Sequence, residues 1–85
     1  MEIRYTSEAE ADIMFWKKSG NTAIQRKISK LLMAIEDSPT SGIGKPEQLK
    51  HQLSGLWSRR INNEHRIIYK ILDDRIEVFS LRFHY

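Results

Sequence analysis

Apolar residues recur with helical spacing through the first part of the chain and with strand spacing through the second. Ala9, Ile13 and Trp16 lie three or four apart, and Met14 and Phe15 widen the stripe, which predicts a helix with one face on a core. Ile24, Ile28, Leu31, Leu32 and Ile35 repeat that period in a second helix. Ser7 reads as the first N-cap, with Glu10 three residues later completing a capping box. Glu8 and Asp12 put negative charge near that end, where the helix dipole favours it. Ser19-Gly20-Asn21 closes the first helix, and Asn21 or Thr22 caps the second, so the two form a hairpin. Lys17, Lys18, Arg26, Lys27 and Lys30 fall on the wet faces.

A short strand over residues 3–6 precedes the helices. After them, Ser38-Pro39-Thr40-Ser41-Gly42-Ile43-Gly44-Lys45-Pro46 cannot continue a helix and forms a long loop, a common place for function. Strand-like runs follow over 49–53, 56–62, 66–72 and 76–83, separated by Ser54-Gly55, Asn62-Asn63-Glu64 and Asp73-Asp74. Such short turns join antiparallel neighbours. The expected architecture is α+β: an N-terminal helical hairpin packed on a small, mainly antiparallel, twisted sheet. Residues two apart on a strand share a face. Trp57, Arg59 and Ile61 therefore face one way, with Phe79, Leu81 and Phe83 on the corresponding face of the last run. That face takes the helices, and Arg59 is its awkward member. Arg60, Arg82 and His84 face the other way, with Arg66 and Lys70.

Eighty-five residues form one domain, 1–85. No apolar run approaches the ~20 residues of a membrane span. The absence of cysteine excludes disulfides, zinc-thiolate sites and cysteine nucleophiles, and it fits a reducing cytoplasm. Charge is unevenly placed. Residues 1–37 hold six Lys/Arg and six Asp/Glu, whereas residues 45–70 hold six Lys/Arg against Glu47 and Glu64, a net of +4. A cation cluster on one segment is either a footprint for phosphate or a solvated sheet face.

The chemistry these residues suggest is RNA cleavage. RNA carries its own nucleophile, the 2′-hydroxyl, so cleavage needs a base, an acid for the 5′-oxygen and cations on the phosphate. Glu47, behind Pro46 and between Lys45 and Lys50, is the candidate base; the competing reading is a surface ion pair with either lysine. His84, beside the terminal carboxylate, is the candidate acid, because imidazole titrates near neutrality. Arg66 is the candidate phosphate clamp. Tyr85 either stacks on a base or orients the scissile group. The last run ends on these residues, so an imidazole, a phenol, the Arg82 guanidinium and a carboxylate are expected at one sheet end. Lys45, Lys50, His51, Arg60 and Arg82 are the RNA-contact candidates. His51 and His65 read as turn or sheet histidines, not catalysts. Trp57, Trp16 and Phe15 read as core. No histidine has a spacing to a second ligand that makes a metal site, and no cofactor is expected.

Four ordered motifs resemble the YoeB (Txe) toxins of the RelE-like superfamily: Gly44-Lys45-Pro46-Glu47-Gln48-Leu49-Lys50-His51, Leu53-Ser54-Gly55-Leu56-Trp57-Ser58-Arg59-Arg60-Ile61, Glu64-His65-Arg66-Ile67-Ile68-Tyr69 and Arg82-Phe83-His84-Tyr85. Together they span about a third of the chain. The resemblance implies a bacterial type II toxin that cleaves messenger RNA in the A site of the 70S ribosome without metal, leaving a 2′,3′-cyclic phosphate and a 5′-hydroxyl. It implies catalytic roles for Glu47, Arg66, His84 and Tyr85, with Lys50 and Arg60 as further basic positions. It also implies a YefM-like antitoxin partner, operator DNA contacted only through that complex, a possible homodimer, no membrane association and a cytoplasmic location. Gln48 stands where a second proline is common, and Tyr5 where a tryptophan is common. The competing functions are a ParE-like gyrase-inhibiting toxin, which lacks the acid-arginine-histidine set, and a non-catalytic ribosome- or RNA-binding module.

Overall fold

The computed structural model describes residues 1–83. Strand β1 (Glu2–Tyr5) leads into helices α1 (Ser7–Ser19) and α2 (Thr22–Asp37). A loop then reaches strand β2 (Glu47–Gln48), a single 3-10 turn (His51–Leu53), and strands β3 (Trp57–Arg60), β4 (Arg66–Ile71) and β5 (Arg75–Ser80). The sheet order is β1-β5-β4-β3-β2. Strands β2 to β5 are antiparallel neighbours, and β1 joins the far edge parallel to β5. The helical hairpin carries the chain from β1 at one edge of the sheet to β2 at the opposite edge, and the β2-to-β5 run then returns it to β1. The fold is thus the expected α+β arrangement of two helices on a mixed, mainly antiparallel sheet. No helix among the described residues is long and apolar enough to cross a membrane.

Helix α1 starts one residue earlier than the capping-box pattern suggests. Thr6, not Ser7, is its cap: Thr6 Oγ1 accepts the Ala9 N–H at 3.1 Å and donates to the Phe79 carbonyl at 3.2 Å. The Thr6 N–H donates to the Val78 carbonyl at 3.0 Å, so β5 fixes the strand-to-helix junction. Gly20 ends α1 at φ 74°, a left-handed value glycine adopts without Cβ strain. Asn21 Oδ1 then accepts the Ile24 N–H at 3.1 Å and caps α2.

Ala9, Trp16, Ile28, Leu31 and Ile35 from the helices meet Ile61, Ile67, Tyr69, Ile76, Val78 and Leu81 from the sheet side. Each fully buried Leu or Ile contributes ~1.5–3 kcal/mol. Trp57 packs against this cluster as expected, but Phe15 and Met14 are exposed, because the buried stripe of α1 is only Ala9, Asp12 and Trp16.

Two strand expectations fail. No strand occupies residues 49–53. Pairing comes earlier, at β2, and the chain then turns back through a positive-φ His51 (59°) and the 3-10 turn, closed by Leu53 N–H to Lys50 carbonyl and Ser54 N–H to His51 carbonyl bonds. The last strand stops at Ser80, and its core-facing residues are Ile76 and Val78, not Phe79 and Phe83. A bulge opposite Ile68 and Tyr69 inserts Phe79 and shifts the alternation, after which Leu81 turns into the core and Phe83 stays exposed.

Candidate active site

Strand pairing assembles the site on the sheet face away from the helices. The β2–β3 register sets Glu47 opposite Ser58, and the β3–β4 register sets Arg60 opposite Arg66. Since Ile67, Tyr69 and Arg59 point to the helix side, alternation puts Glu47, Ser58, Arg60, Arg66 and Lys70 on the other face, where Glu47, Arg60 and Lys70 are exposed and Ser58 is buried. Arg66 Nη1 lies 3.8 Å from Glu47 Oε1 and donates to Ser58 Oγ at 3.4 Å. Both contacts are long for charged partners. The Glu47 side chain is 64% exposed, so this ion pair is weak. The Arg66 side chain is 23% exposed. The surface pairing of Glu47 among the described residues is thus with Arg66, not with Lys45 or Lys50.

Lys45 and Lys50 are exposed on either side of Glu47, and His51 is exposed at the start of the 3-10 turn. Lys45 and His51 both have positive φ (52° and 59°), so the segment bends sharply before and after the short strand. The loop before it is held from behind by Arg59. This side chain is fully buried and donates to Tyr69 Oη and to three loop carbonyls. Burial pushes the Tyr69 phenol above its ordinary pKa, while the Arg59 guanidinium pulls in the opposite direction.

Arg82 departs from the expected face. Its guanidinium stacks 3.6 Å from the Phe15 ring centroid and 4.9 Å from that of Phe83, so it reaches to α1 instead of joining Arg60 and Arg66. The segment around it is clamped. The Leu81 N–H donates to the buried Asp12 carboxylate at 2.8 Å, and Trp16 Nε1 donates to the Leu81 carbonyl at 2.8 Å. His65 Nδ1 accepts the Phe83 N–H at 2.8 Å, and the Phe83 carbonyl accepts from Arg66 N–H at 2.9 Å. His65 also packs edge-on against Trp16 at 4.9 Å, which makes it a structural histidine. His84 and Tyr85 lie outside the described residues.

The sequence pattern misses two contributors. Asp12 looks like a dipole-stabilising acid but instead grips the C-terminal segment. Arg59 looks like a misplaced surface cation; a charge at a core-facing strand position is the signal that marks it. A groove of about 360 Å³ lies between the helices, lined by Tyr5, Ile13, Trp16 and Leu32 among others, and contains none of the candidate site residues.

Comparison with known proteins identifies the family and the fold. Residues 5–85 match the family described as "YoeB-like toxin of bacterial type II toxin-antitoxin system". The chain is 45% identical over 85 residues to Toxin YoeB of Synechocystis, covering 100% of this chain and 98% of that one. It superposes on a YoeB/ParE toxin from Agrobacterium tumefaciens with a TM-score of 0.93 at 38% identity, each chain fully covered. It superposes on a chain of a YoeB-YefM complex from Staphylococcus aureus with a TM-score of 0.87 at 38% identity, covering 100% and 98%. With an open acid-arginine face on this fold and a match over nearly its whole length, the chain belongs to the YoeB-like toxin family of bacterial type II toxin–antitoxin systems.

Proposed function

We propose that this toxin is a ribosome-dependent messenger RNA endoribonuclease that cuts in the A site by attack of the 2′-hydroxyl. The observation that carries the reading is the meeting of Glu47 and Arg66. They come from a loop-borne strand end and a central strand, yet stand 3.8 Å apart on an open face, with Arg60 across from Arg66. In the proposed step, Glu47 takes the 2′-hydroxyl proton while that oxygen attacks phosphorus. The P–O5′ bond breaks, and the departing oxygen receives a proton from an acid, with His84 the first candidate and Tyr85 and Lys50 the others. The products are a 2′,3′-cyclic phosphate and a 5′-hydroxyl. Arg66 and Arg60 offset the charge that builds on the phosphate oxygens. Lys45, Lys50, His51 and Arg82 are the proposed RNA contacts, with Arg82 acting from the Phe15 side.

The natural inhibitor is a YefM-like antitoxin, since the similar Staphylococcus aureus chain was solved in complex with YefM. A message carrying one 2′-deoxynucleotide at the cut position tests the chemistry. Removal of that hydroxyl should abolish cleavage at the site while neighbouring sequence and ribosome binding stay unchanged. Cleavage at the undiminished rate would rule out internal 2′-hydroxyl attack and favour an external nucleophile.

A further inference from the structure

The loop over residues 38–44 has almost no regular structure of its own; within it the backbone makes one bond, Ser41 N–H to Ser38 carbonyl, at a long 3.4 Å. Its carbonyls are instead taken up by the sheet. Arg59 Nη2 donates to Ser38 and Ser41 at 2.5 and 2.8 Å, and Nη1 donates to Ile43 at 3.0 Å. Tyr69 Oη donates to Pro39 at 2.6 Å and accepts from Arg59 Nε at 3.1 Å. The Arg60 N–H donates to Gly44 at 2.7 Å. The carbonyls of Ser38, Pro39, Ser41, Ile43 and Gly44 are therefore fixed by two neighbouring residues of β3 and one of β4, and three of them by one guanidinium.

This is a costly arrangement for stability alone. Arg59 is a permanent cation with no exposed surface, and the ion pairs among the described residues do not include it. An apolar side chain of similar volume would fill the same space without the desolvation penalty. Arg59 meets four acceptors, these three carbonyls and Tyr69 Oη, from three separate nitrogens, more than the three donors that a single ammonium nitrogen carries. Two glycines let the loop approach it: a Cβ on Gly42 would come 3.3 Å from Arg59 Nη1, and one on Gly44 would come 3.2 Å from Arg59 Cβ. The loop ends three residues before Glu47, and Glu47 itself pairs with Ser58, the residue before Arg59. β3 thus holds this segment twice, by strand pairing of Ser58 with Glu47 and by the Arg59 side chain on the loop from the core.

We infer that Arg59 is a positioning residue for the reaction: it fixes the loop that presents Glu47 to the 2′-hydroxyl. The inference rests on the endoribonuclease reading above. Arg59 does not touch the substrate, and it acts through loop geometry. A displacement of about 1 Å in a catalytic group costs on the order of 100-fold in rate.

The test uses full-length protein on ribosomes programmed with a defined message, under single-turnover conditions. Arg59→Lys, Arg59→Met and the milder Tyr69→Phe are compared with the parent chain. Amide exchange is followed at residues 43–48 and at the β4 core residues 67–69. The expected result is a ~100-fold fall in the saturated cleavage rate for both Arg59 variants, with the half-saturating ribosome concentration unchanged. Arg59→Lys gives no rescue, because an ammonium carries three donors on one nitrogen and cannot meet the four acceptors that three guanidinium nitrogens reach. Tyr69→Phe, which keeps the guanidinium, loses ~10-fold. Exchange should accelerate at 43–48 and stay slow at 67–69. Wild-type rate in Arg59→Lys, a loss confined to the half-saturating concentration, or unchanged exchange at 43–48 would overturn the inference. Should Arg59→Met fail to fold, Tyr69→Phe decides by the same readouts. A parent protein that cuts nothing overturns the endoribonuclease reading itself, a result distinct from an active parent with an active Arg59→Lys.

Discussion

Replacing Trp16 by phenylalanine isolates the clamp on the C-terminal segment. The indole is 6% exposed, and its Nε1–H donates to the Leu81 carbonyl at 2.8 Å. Phenylalanine keeps an aromatic ring there but removes the donor, stranding a buried acceptor at a cost of ~1–3 kcal/mol. The edge-on contact with His65, at 4.9 Å between centroids, is also weakened, a further ~0.5–1.5 kcal/mol. The expected loss is therefore about 2–4 kcal/mol. A chain of 85 residues holds only ~4–13 kcal/mol at ~0.05–0.15 kcal/mol per residue, so this is a large share. Urea unfolding followed by far-ultraviolet circular dichroism measures it, and the slope should be unchanged, since the surface exposed on unfolding hardly differs. The same clamp anchors residues 81–83 just before His84, so the folded variant should also cleave more slowly through local opening of that segment. A stability loss under ~0.5 kcal/mol, the range of ordinary surface substitutions, would refute the assignment of the Leu81 bond as a stabilising contact.

Gly44→Ala should destabilise by about 2–4 kcal/mol, because φ is +86° and the new Cβ would fall 2.6 Å from Leu31 Cδ2; an equilibrium unfolding loss below ~1 kcal/mol would contradict this. Stability should fall as pH rises above about 10, because the Tyr69 phenol is held above its ordinary value of 10.0 in the fold and deprotonates first in the unfolded chain. The contribution is fully present below pH 10 and is lost through the raised folded value. Unfolding free energies between pH 8 and 11 should decline less steeply for Tyr69→Phe than for the parent, and identical slopes would show that Tyr69 does not carry the dependence.

Helical periodicity and turn residues make the hairpin and the antiparallel run of β3, β4 and β5 legible in the amino-acid sequence, because both signals are local. The edge strand is legible too, but its parallel pairing to β5, a partner about seventy residues away, is a long-range contact that no local signal in 2–5 carries. Strand phase is the weak point. The bulge at Ile68 and Tyr69 and the turn after Ser80 are tertiary adjustments, and they move Arg82 from the basic face to Phe15. The acid and the arginine of the site stand out by residue type and flanking charge, and register then brings them together. Arg59 shows the converse. Its alternation marks it as anomalous, but only the fold reveals the carbonyls that explain a buried guanidinium.

The most direct measurement of the central claim mixes purified protein with ribosomes stalled on a defined message, and in parallel with the same RNA alone, and maps new 5′ ends. Cuts should appear only with ribosomes, only at the A-site codon, and should fall by ~100- to 10,000-fold in Glu47→Ala while ribosome binding persists. Cleavage of naked RNA at the same rate, or full activity in Glu47→Ala, would contradict the account.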